Sequence, residues 1–341
     1  MPRPDLDAVI VGAGFAGLYM LHRLRSMGQS VLVFEAGGGV GGTWYWNRYP
    51  GARCDIESME YSYQFSDELQ QEWQWSERYA AQPEILAYAN HVADRFDLRR
   101  HIRFDTRVEA AAFDDASGCW QILTSDGERT TATWCIMATG CLSSANLPSI
   151  KGLEGFAGRT YHTGRWPHEG VDFTGQRVAV IGTGSSAVQS IPIIARQADH
   201  LFVFQRTPNY VVPARNAPLA PDVQDAVKAC YAELRAQAKQ GRTGCLYPIN
   251  PTAALEATPA EREREYQARW DKGGLGFIGS FVDLLVSPDA NATAAEFIRR
   301  KIRETVHDPE VADKLCPRSV VGCKRLCIDT GYYETYNRPN V

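Results

Sequence analysis

A glycine-rich turn between two apolar strands occurs twice in the sequence, 170 residues apart, and it restricts how the chain can fold. In the first copy, "DAVIVGAGFAGLYMLHRLRSMGQSVLVFEA", an apolar strand leads into Gly12-x-Gly14-x-x-Gly17, an amphipathic helix and a second strand that ends at Glu35. Gly12 permits the tight turn, Gly14 lets the backbone approach a pyrophosphate, and Gly17 lets the helix pack closely on the strand. The helix N-terminus attracts an anion. Together these features favour a dinucleotide-binding unit over a glycine-rich turn in some other βαβ unit.

The second copy, "QRVAVIGTGSSAVQSIPIIARQADHLFVFQRT", places Gly182-x-Gly184-x-x-Ala187 in the same strand–helix–strand pattern. It keeps the turn and the helix N-terminus but has alanine in place of the third glycine. Both copies together predict an α/β fold with two Rossmann-like dinucleotide-binding domains.

The residues that end the second strand differ between the two copies. Glu35 can accept hydrogen bonds from a ribose diol, whereas the position 170 residues later is Gln205, followed by Arg206 and Thr207. An acid would repel a 2′-phosphate, while an arginine beside a hydroxyl would bind one. The first site therefore suits FAD or NAD and the second NADPH, which indicates a two-cofactor redox enzyme. A solvated cation at the strand end is the alternative for Arg206.

Composition excludes several classes of partner. The 341 residues are 44% hydrophobic and 22% charged with a net charge of −4, which gives no reason to expect nucleic acid or an anionic membrane as partner. No apolar run reaches the length of a membrane-spanning helix, and the first strand pattern starts too near Met1 to leave room for a signal peptide. The nine cysteines form no C-x-x-C pair, and the histidines match no metal-ligand spacing. We expect a cytoplasmic monomer without a metal site.

Three further motifs point to one family. The stretch "GGTWYWNRYPGARCDIES" (residues 41–58) contains the complete signature G-G-x-W-x-x-x-x-[F/Y]-P-[G/M]-x-x-x-D, and we expect it to be a loop that covers a planar ligand, not a regular helix or strand. Residues 155–167 contain the pattern F-x-G-x-x-x-H-x-x-x-W-P, and "FQRTPN" follows the second glycine turn. The linker fingerprint consists of Phe156, Gly158, His162, Trp166 and Pro167.

With these motifs the chain resembles the Baeyer–Villiger monooxygenases along essentially its whole length, and it looks closest to the phenylacetone and steroid monooxygenase branch. The resemblance implies that NADPH reduces FAD and that O2 adds at the flavin C4a position. The resulting peroxide then inserts oxygen next to the carbonyl of a small-molecule ketone, which gives an ester or a lactone.

The resemblance also implies the catalytic residues. The family has a K-R pair, which here is Lys324-Arg325 in "GCKRLC". Arg325 is expected to be catalytic, because an arginine remains cationic in a dry site and stabilises a peroxide anion. Asp55 would orient Arg325, and Lys324 would bind the 2′-phosphate. Without the resemblance, a basic pair in a surface turn would be the simpler interpretation.

The remaining cofactor residues follow from the same resemblance. For FAD they are Gly12, Gly14, Phe15, Ala16, Gly17, Glu35, Thr43, Trp44, Tyr45, Trp46, Asp55, Tyr61 and Val108. For NADP they are Arg53, Cys54, Asp55, Gly182, Thr183, Gly184, Ser185, Ser186, Ala187, Val188, Gln189, Arg206, Thr207, Lys324 and Arg325. Aromatic residues such as Trp44 are often plain core.

The sequence predicts the following domain organisation. Residues 1–140 form an FAD-binding domain, 141–170 an inter-domain linker with the fingerprint, 171–215 and 318–341 an incomplete NADP-binding domain, and 216–317 a helical insertion. In the insertion, "TAAEFIRRKIRETV" has an apolar face of Phe297, Ile298, Ile302 and Val306. In the linker, His162 is expected to be a structural and coupling residue, since it has no carboxylate or nucleophile partner in the motif. Family members continue beyond the position of Val341, so we expect this sequence to be part of a longer chain.

Three alternative functions remain at this point. The chain could be an N- or S-oxidising flavin monooxygenase, an NADPH oxidase that releases peroxide, or an inactive nucleotide-binding fragment. The complete fingerprint and the Lys324-Arg325 pair favour the Baeyer–Villiger reaction.

Overall fold

The computed structural model describes residues 4–241 and 243–341. Residues 1–3, in the predicted FAD-binding domain, and Arg242, in the predicted insertion, lie outside the described residues. The chain forms two compact units: the first comprises Met1–Arg48 and Gln82–Glu169, and the second comprises Tyr49–Ala81 and Gly170–Val341. Residues 49–81, which the sequence places in the FAD-binding domain, thus belong to the second unit.

Both units combine strands with helices. The strands are β1 (Leu6–Val11), β2 (Val31–Phe34), β3 (Ile102–Arg103), β4 (Val108–Asp114), β5 (Cys119–Thr124), β6 (Arg129–Met137), β7 (Arg177–Ile181), β8 (His200–Phe204), β9 (Val211–Pro213) and β10 (Cys327–Asp329). The helices are α1 (Phe15–Ser26), α2 (Thr43–Trp46), α3 (Asp67–Glu72), α4 (Gln82–Arg95), α5 (Ser185–Gln197), α6 (Pro221–Ala229), α7 (Tyr231–Gln240), α8 (Pro259–Lys272), α9 (Pro288–Thr305), α10 (Pro309–Leu315) and α11 (Tyr332–Thr335). Short 3₁₀ turns span Arg99–His101, Leu153–Gly155, Thr163–Arg165 and Leu275–Ser280.

The first unit is built on a six-stranded sheet of order β3-β2-β1-β6-β5-β4. Strands β3, β2, β1 and β6 run parallel, while β5 and β4 add as antiparallel strands at one edge. The central strand β1 pairs Val9 with Leu32 on one side and Cys135 on the other. Parallel neighbours require a crossover, and α1 supplies it between β1 and β2.

The core of the first unit lies on this sheet. Val9, Phe34, Ile122 and Ala132 form a buried cluster. Helix α1 buries Gly17, Leu18 and Leu21, and α4 buries Ile85, Tyr88, Ala89, Val92 and Ala93. These apolar positions recur at helical spacing, so each helix turns one stripe towards the interior.

The second unit contains two pairs of parallel strands. Strands β7 and β8 pair in parallel around the crossover helix α5, and β9 pairs in parallel with β10. Between β9 and β10 the chain forms helices α6 to α10, which lie within residues 216–317, the range predicted for the helical insertion. The predicted α/β class with two dinucleotide-binding units is confirmed.

The insertion has its own aromatic core. The rings of Tyr266, Trp270, Phe277 and Phe297 lie with centroids 5.4 to 6.3 Å apart, at distances at which aromatic pairs attract. In α9, Phe297, Ile298 and Ile302 are buried, and Val306, which follows the helix, is buried too. The apolar face predicted for this helix is therefore confirmed.

A mostly buried carboxyl group, that of Asp329, caps the last helix of the second unit. Asp329 Oδ1 accepts a hydrogen bond from the backbone N–H of Tyr332, at the start of α11. Burial raises the pKa of Asp329 from its ordinary value of 3.8 to about 7, and the nearby Glu334 adds to the rise. The folded protein therefore holds this proton between pH 4 and 7 more strongly than the unfolded chain, so Asp329 makes the protein less stable as pH rises through that window.

We predict that Asp329→Asn stabilises the protein at pH 8 but hardly at pH 4. Asparagine keeps a side-chain oxygen for the cap and carries no charge to bury. The expected gain in the free energy of unfolding at pH 8 is about 2 kcal/mol, after allowing for partial exposure of the side chain. Urea unfolding at both pH values measures it. Asp308, which caps α10 from an exposed position, is the matched control; equal gains at both pH values for Asp329→Asn would contradict the assignment.

Candidate cofactor sites and the Asp55–Arg325 pair

The first glycine turn is closed by contacts that only glycine allows. Gly12 has a φ of +104°, and a Cβ atom there would lie 2.7 Å from the carbonyl oxygen of Ala138. A Cβ atom on Gly17 would lie 1.9 Å from the carbonyl oxygen of Gly12, and one on Gly14 would lie 3.4 Å from Gly42 Cα. The turn, the open backbone and the close helix packing that the motif predicts are thus all present.

The carboxylate of Glu35 lies beside this turn. Glu35 is 5% exposed; its Oε2 accepts from Ala13 N at 2.6 Å and its Oε1 from Gly37 N at 2.8 Å. A carboxylate has about four lone-pair sites, so two remain for a ribose diol. Gly14 is the N-cap of α1, which has no acidic side chain in its first turn. The N–H groups at this helix end suit a pyrophosphate, so the first unit fits an FAD molecule.

The aromatic stretch after β2 is partly regular. We expected no helix in residues 41–58, and this is wrong for Thr43–Trp46, which form the single-turn helix α2. Trp44 is buried, and its carbonyl accepts a hydrogen bond from Gln82 Nε2. The hydroxyl of Tyr45 accepts from Gly38 N at 3.1 Å. Trp44 thus links this turn to α4, and Tyr45 links it to the loop after β2.

The other predicted FAD residues divide between the two units. Phe15 and Ala16 open α1, and Val108 opens β4, all in the first unit. Asp55 and Tyr61 lie in the second unit. The structure does not group these five residues in one unit, and their shared role in FAD binding remains a prediction.

The second glycine turn is open. Gly182 has a φ of +106°, and added Cβ atoms on Gly182 and Gly184 would meet no described atom within 4 Å. Thr183 Oγ1 donates to the carbonyl of Thr207 at 3.3 Å, which ties the turn to the end of β8. Arg206 is exposed at that strand end, and Lys324 is exposed in the turn before β10. The open turn with exposed cations fits a dinucleotide phosphate; that Arg206 and Lys324 share one phosphate remains a prediction.

Asp55 and Arg325 form an ion pair within the second unit. Arg325 Nε and Nη2 lie 3.1 and 3.0 Å from Asp55 Oδ2. The Asp55 side chain is 5% exposed, whereas that of Arg325 is 64% exposed. Two residues of α5 also contact the carboxylate: Ser185 Oγ lies 3.4 Å from Oδ2, and Gln189 Nε2 lies 3.2 Å from Oδ1. Helix α5 thus holds the buried carboxylate, while the guanidinium is exposed to solvent.

Burial shifts the pKa values of Asp55 and of two neighbouring thiols. Burial raises the pKa of Asp55, while the guanidinium of Arg325 and the hydrogen bonds from α5 oppose the rise. Burial also raises the pKa of the Cys54 and Cys327 thiols to about 12. Both thiols are therefore neutral at pH 7, which excludes them as thiolate nucleophiles. What the site offers chemically is an oriented cation beside two neutral thiols.

Sequence reasoning missed three residues that support the pair. Glu77 forms an ion pair with Arg53 at 2.8 Å, and the hydroxyl of Tyr49 donates to Gln189 Oε1 at 2.8 Å. Asn209 Nδ2 lies 3.3 Å from the carbonyl oxygen of Arg325. Tyr49 lies in the stretch of residues 41–58 and Asn209 in "FQRTPN", so these motifs could have pointed to both residues. No motif in the sequence pointed to Glu77.

The linker fingerprint forms a local turn in the first unit. His162 Nδ1 accepts from Gly164 N at 3.0 Å and caps the 3₁₀ turn at residues 163–165. Trp166 is buried, and its ring centroid lies 5.6 Å from that of Tyr161. Phe156 is exposed. His162 thus has a structural contact, and its coupling role stays a prediction.

The described residues contain neither a metal-ligand cluster nor a membrane-spanning helix. Within residues 4–241 and 243–341, no three His, Cys, Asp or Glu side chains come together as a metal ion would need. In the same part of the chain, no helix has the length and apolar character to span a membrane.

Comparison with known proteins agrees with this geometry. Residues 9–243 match the family model described as pyridine nucleotide-disulphide oxidoreductase. A Baeyer–Villiger monooxygenase of Pseudooceanicola batsensis is 46% identical over 99% of this chain and 62% of its own length. A phenazine N-monooxygenase of Lysobacter antibioticus is 42% identical over 99% of this chain and 63% of its own length.

Solved structures give the same result. An oxidised steroid monooxygenase bound to NADP is 56% identical with a TM-score of 0.95, over 98% of this chain and 64% of that one. OTEMO in complex with FAD and NADP is 43% identical with a TM-score of 0.96, over 99% of this chain and 65% of that one. The chain therefore spans less than two thirds of the length of these relatives. These relatives confirm the predicted resemblance to Baeyer–Villiger monooxygenases. By the match over residues 9–243, the chain belongs to the pyridine nucleotide-disulphide oxidoreductase family.

Proposed function

We propose that the protein is a Baeyer–Villiger monooxygenase that uses NADPH, FAD and O2 to convert a ketone into an ester or a lactone. The observation that carries this proposal is the Asp55–Arg325 pair, in which a buried carboxylate orients an exposed guanidinium. Two dinucleotide turns with different strand-end residues accompany it in the same chain. The reaction consumes one ketone, one NADPH, one proton and one O2, and it yields one ester, one NADP⁺ and one water.

The residues of each unit fit one cofactor. In the first unit, the N-terminus of α1 and the carboxylate of Glu35 would bind the pyrophosphate and ribose of FAD. In the second unit, the open turn at Gly182 would bind NADP, with Arg206 and Lys324 near its 2′-phosphate. FAD, when bound, supplies the redox chemistry that takes a hydride from NADPH and activates O2.

Arg325 would act by its charge. A guanidinium stays protonated at any physiological pH, so it stabilises negative oxygen without exchanging a proton. Asp55 fixes the guanidinium through Nε and Nη2, which leaves Nη1 and the outer edge of the group for substrate or cofactor. The role of Asp55 is thus positional and electrostatic.

Oxidation of a ring nitrogen is the second candidate, because the Lysobacter relative is named a phenazine N-monooxygenase. The two reactions differ in the group attacked: a ketone carbonyl accepts a nucleophilic oxygen, whereas an aromatic nitrogen donates its lone pair to an electrophilic one. An oriented cation that stabilises an anionic oxygen favours the first.

The experiment uses purified protein with FAD, NADPH, air and either an aryl ketone, a cyclic ketone or phenazine. Ester or lactone formation supports the proposal. An N-oxide without ester supports the second candidate, peroxide alone indicates an oxidase, and a colourless protein that takes up no flavin defeats all three. Gel filtration and cell fractionation would test the monomer and the cytoplasmic location that we include in the proposal.

We predict that His162→Ala slows the flavin reactions and raises the fraction of NADPH lost to peroxide. Alanine removes the acceptor for Gly164 N, which costs the local turn about 1 kcal/mol. Stopped-flow reduction and peroxide assays measure the effect. His162→Asn keeps a short side-chain acceptor and serves as control; unchanged rate and coupling in the alanine variant would remove His162 from the mechanism.

A further inference from the structure

The side chain of Gln189 is fully engaged inside the second unit. It projects from α5 and is 5% exposed. Its Oε1 lies 2.8 Å from the hydroxyl of Tyr49 and 3.4 Å from Arg53 N, while its Nε2 donates to Arg53 O at 3.1 Å and to Asp55 Oδ1 at 3.2 Å. A carboxamide has two acceptor and two donor positions. All four are used by residues 49–55, so none is left for a ligand.

The backbone of residues 49–55 approaches α5 closely enough to make these bonds. Gly51 has a φ of +81°, and a Cβ atom there would lie 2.4 Å from the carbonyl oxygen of Gln189. On the other side, Cys54 N donates to Ala80 O at 3.2 Å, and Arg53 pairs with Glu77. The segment is therefore fixed between α5 and residues 77–80.

This arrangement decides which oxygen of Asp55 meets the guanidinium. Gln189 holds Oδ1, and Arg325 takes Oδ2 through Nε and Nη2. If the amide donor were lost, the carboxylate could rotate about its terminal torsion, because this torsion is broad and weakly restrained by itself.

We propose that Gln189 is a positioning residue for the Asp55–Arg325 pair and not a ligand of the dinucleotide, which is the role that the family resemblance implies for it. The proposal rests on the proposed function, since that function gives the pair its catalytic meaning. It replaces the prediction that Gln189 binds NADP.

The test compares Gln189→Leu with the parent protein by two measurements that do not require turnover. The first is the carboxyl titration of Asp55 by carbon-13 NMR of aspartate-labelled protein, with Asp55→Asn to identify the signal. The second is the dissociation constant of NADP by calorimetry. The titratable groups that face Asp55 are Arg325, Tyr49, Tyr79, Cys54 and Cys327, and none of them changes in this variant.

In Gln189→Leu we expect the Asp55 titration to move to higher pH, because the carboxylate loses a hydrogen-bond donor. The dissociation constant of NADP should stay within about threefold, while kcat for ester formation should fall by about tenfold or more at unchanged KM for the ketone. Tyr49→Phe removes only the hydroxyl that fixes Oε1, so it should shift the titration in the same direction by less. If Gln189→Leu does not fold, Tyr49→Phe still tests the proposal by the same two measurements.

The matched control is Gln197→Leu, which changes an exposed glutamine at the end of the same helix. It should alter neither measurement. A loss of NADP affinity of about tenfold in Gln189→Leu, or an Asp55 titration that does not move, would overturn the proposal. If the parent protein forms no ester, the proposed function fails, but the titration and the NADP affinity still decide the role of Gln189.

Discussion

Arg325→Ala is expected to reduce ester formation by about 1,000-fold or more, while the protein still binds FAD and accepts a hydride from NADPH. Loss of one preorganised group that stabilises a developing oxyanion costs 100- to 1,000-fold in known enzymes, and here the group also carries a full charge. Removal of the guanidinium leaves the buried Asp55 carboxylate without its counter-charge, so some loss of stability is expected. The carboxylate keeps its hydrogen bonds to Ser185 and Gln189, so the variant should still fold and take up flavin.

The measurements are stopped-flow reduction by NADPH and gas chromatography of the ester. Arg325→Lys keeps the charge but cannot place two N–H donors on Asp55 Oδ2, so an intermediate loss is expected. Lys324→Ala should instead weaken NADPH binding and leave kcat nearly unchanged. Ester formation by Arg325→Ala at a rate close to that of the parent protein would contradict the assignment of Arg325 as the catalytic cation.

Gly17→Ala is expected to abolish FAD binding and to lower the stability of the first unit by about 3 kcal/mol or more. The added methyl group would lie 1.9 Å from the carbonyl oxygen of Gly12, far inside any permitted contact. The new Cβ atom of residue 17 and the backbone carbonyl oxygen of Gly12 cannot rotate apart as flexible side chains could. Relief of this clash therefore requires α1 to move away from β1. This shift would also displace the N–H groups at the helix start that should bind the pyrophosphate.

Flavin fluorescence titration and thermal unfolding test this expectation, with a fall in Tm of about 6 °C or more. Gly155→Ala is the control in the same unit, because a Cβ atom there meets no described atom within 4 Å. The second turn already carries Ala187 at the matching position, so close packing is specific to the first turn. Normal FAD affinity in Gly17→Ala would show that the first turn is not the flavin site.

The sequence was informative where the structural requirement is local. A positive φ at Gly12 and Gly182 and the apolar stripe of α9 are set by residues a few positions apart, so their spacing predicted them. Asp55 and Arg325 are 270 positions apart, and only the family motifs linked them before the structure placed them in contact.

The sequence was less informative about long-range contacts. Residues 49–81 follow the first Rossmann unit in the chain, yet they pack in the second unit, where Gly51 and Gln189 meet. The one-turn helix at Thr43–Trp46 depends on its tie to Gln82, which lies far along the chain. Such contacts depend on tertiary packing, so propensity and periodicity alone could not reveal them.

The parallel pairing of β9 with β10 brings the two ends of the helical insertion to adjacent strands of three residues each. Helices α6 to α10 also bond to residues 59–78 within the second unit: the hydroxyl of Tyr231 donates to the carbonyl of Met59, and Arg78 donates to the carbonyl of Lys272 at the end of α8. Exchange of the insertion between related proteins would therefore have to carry residues 59–78 with it, because these contacts fix its position together with the β9–β10 pair.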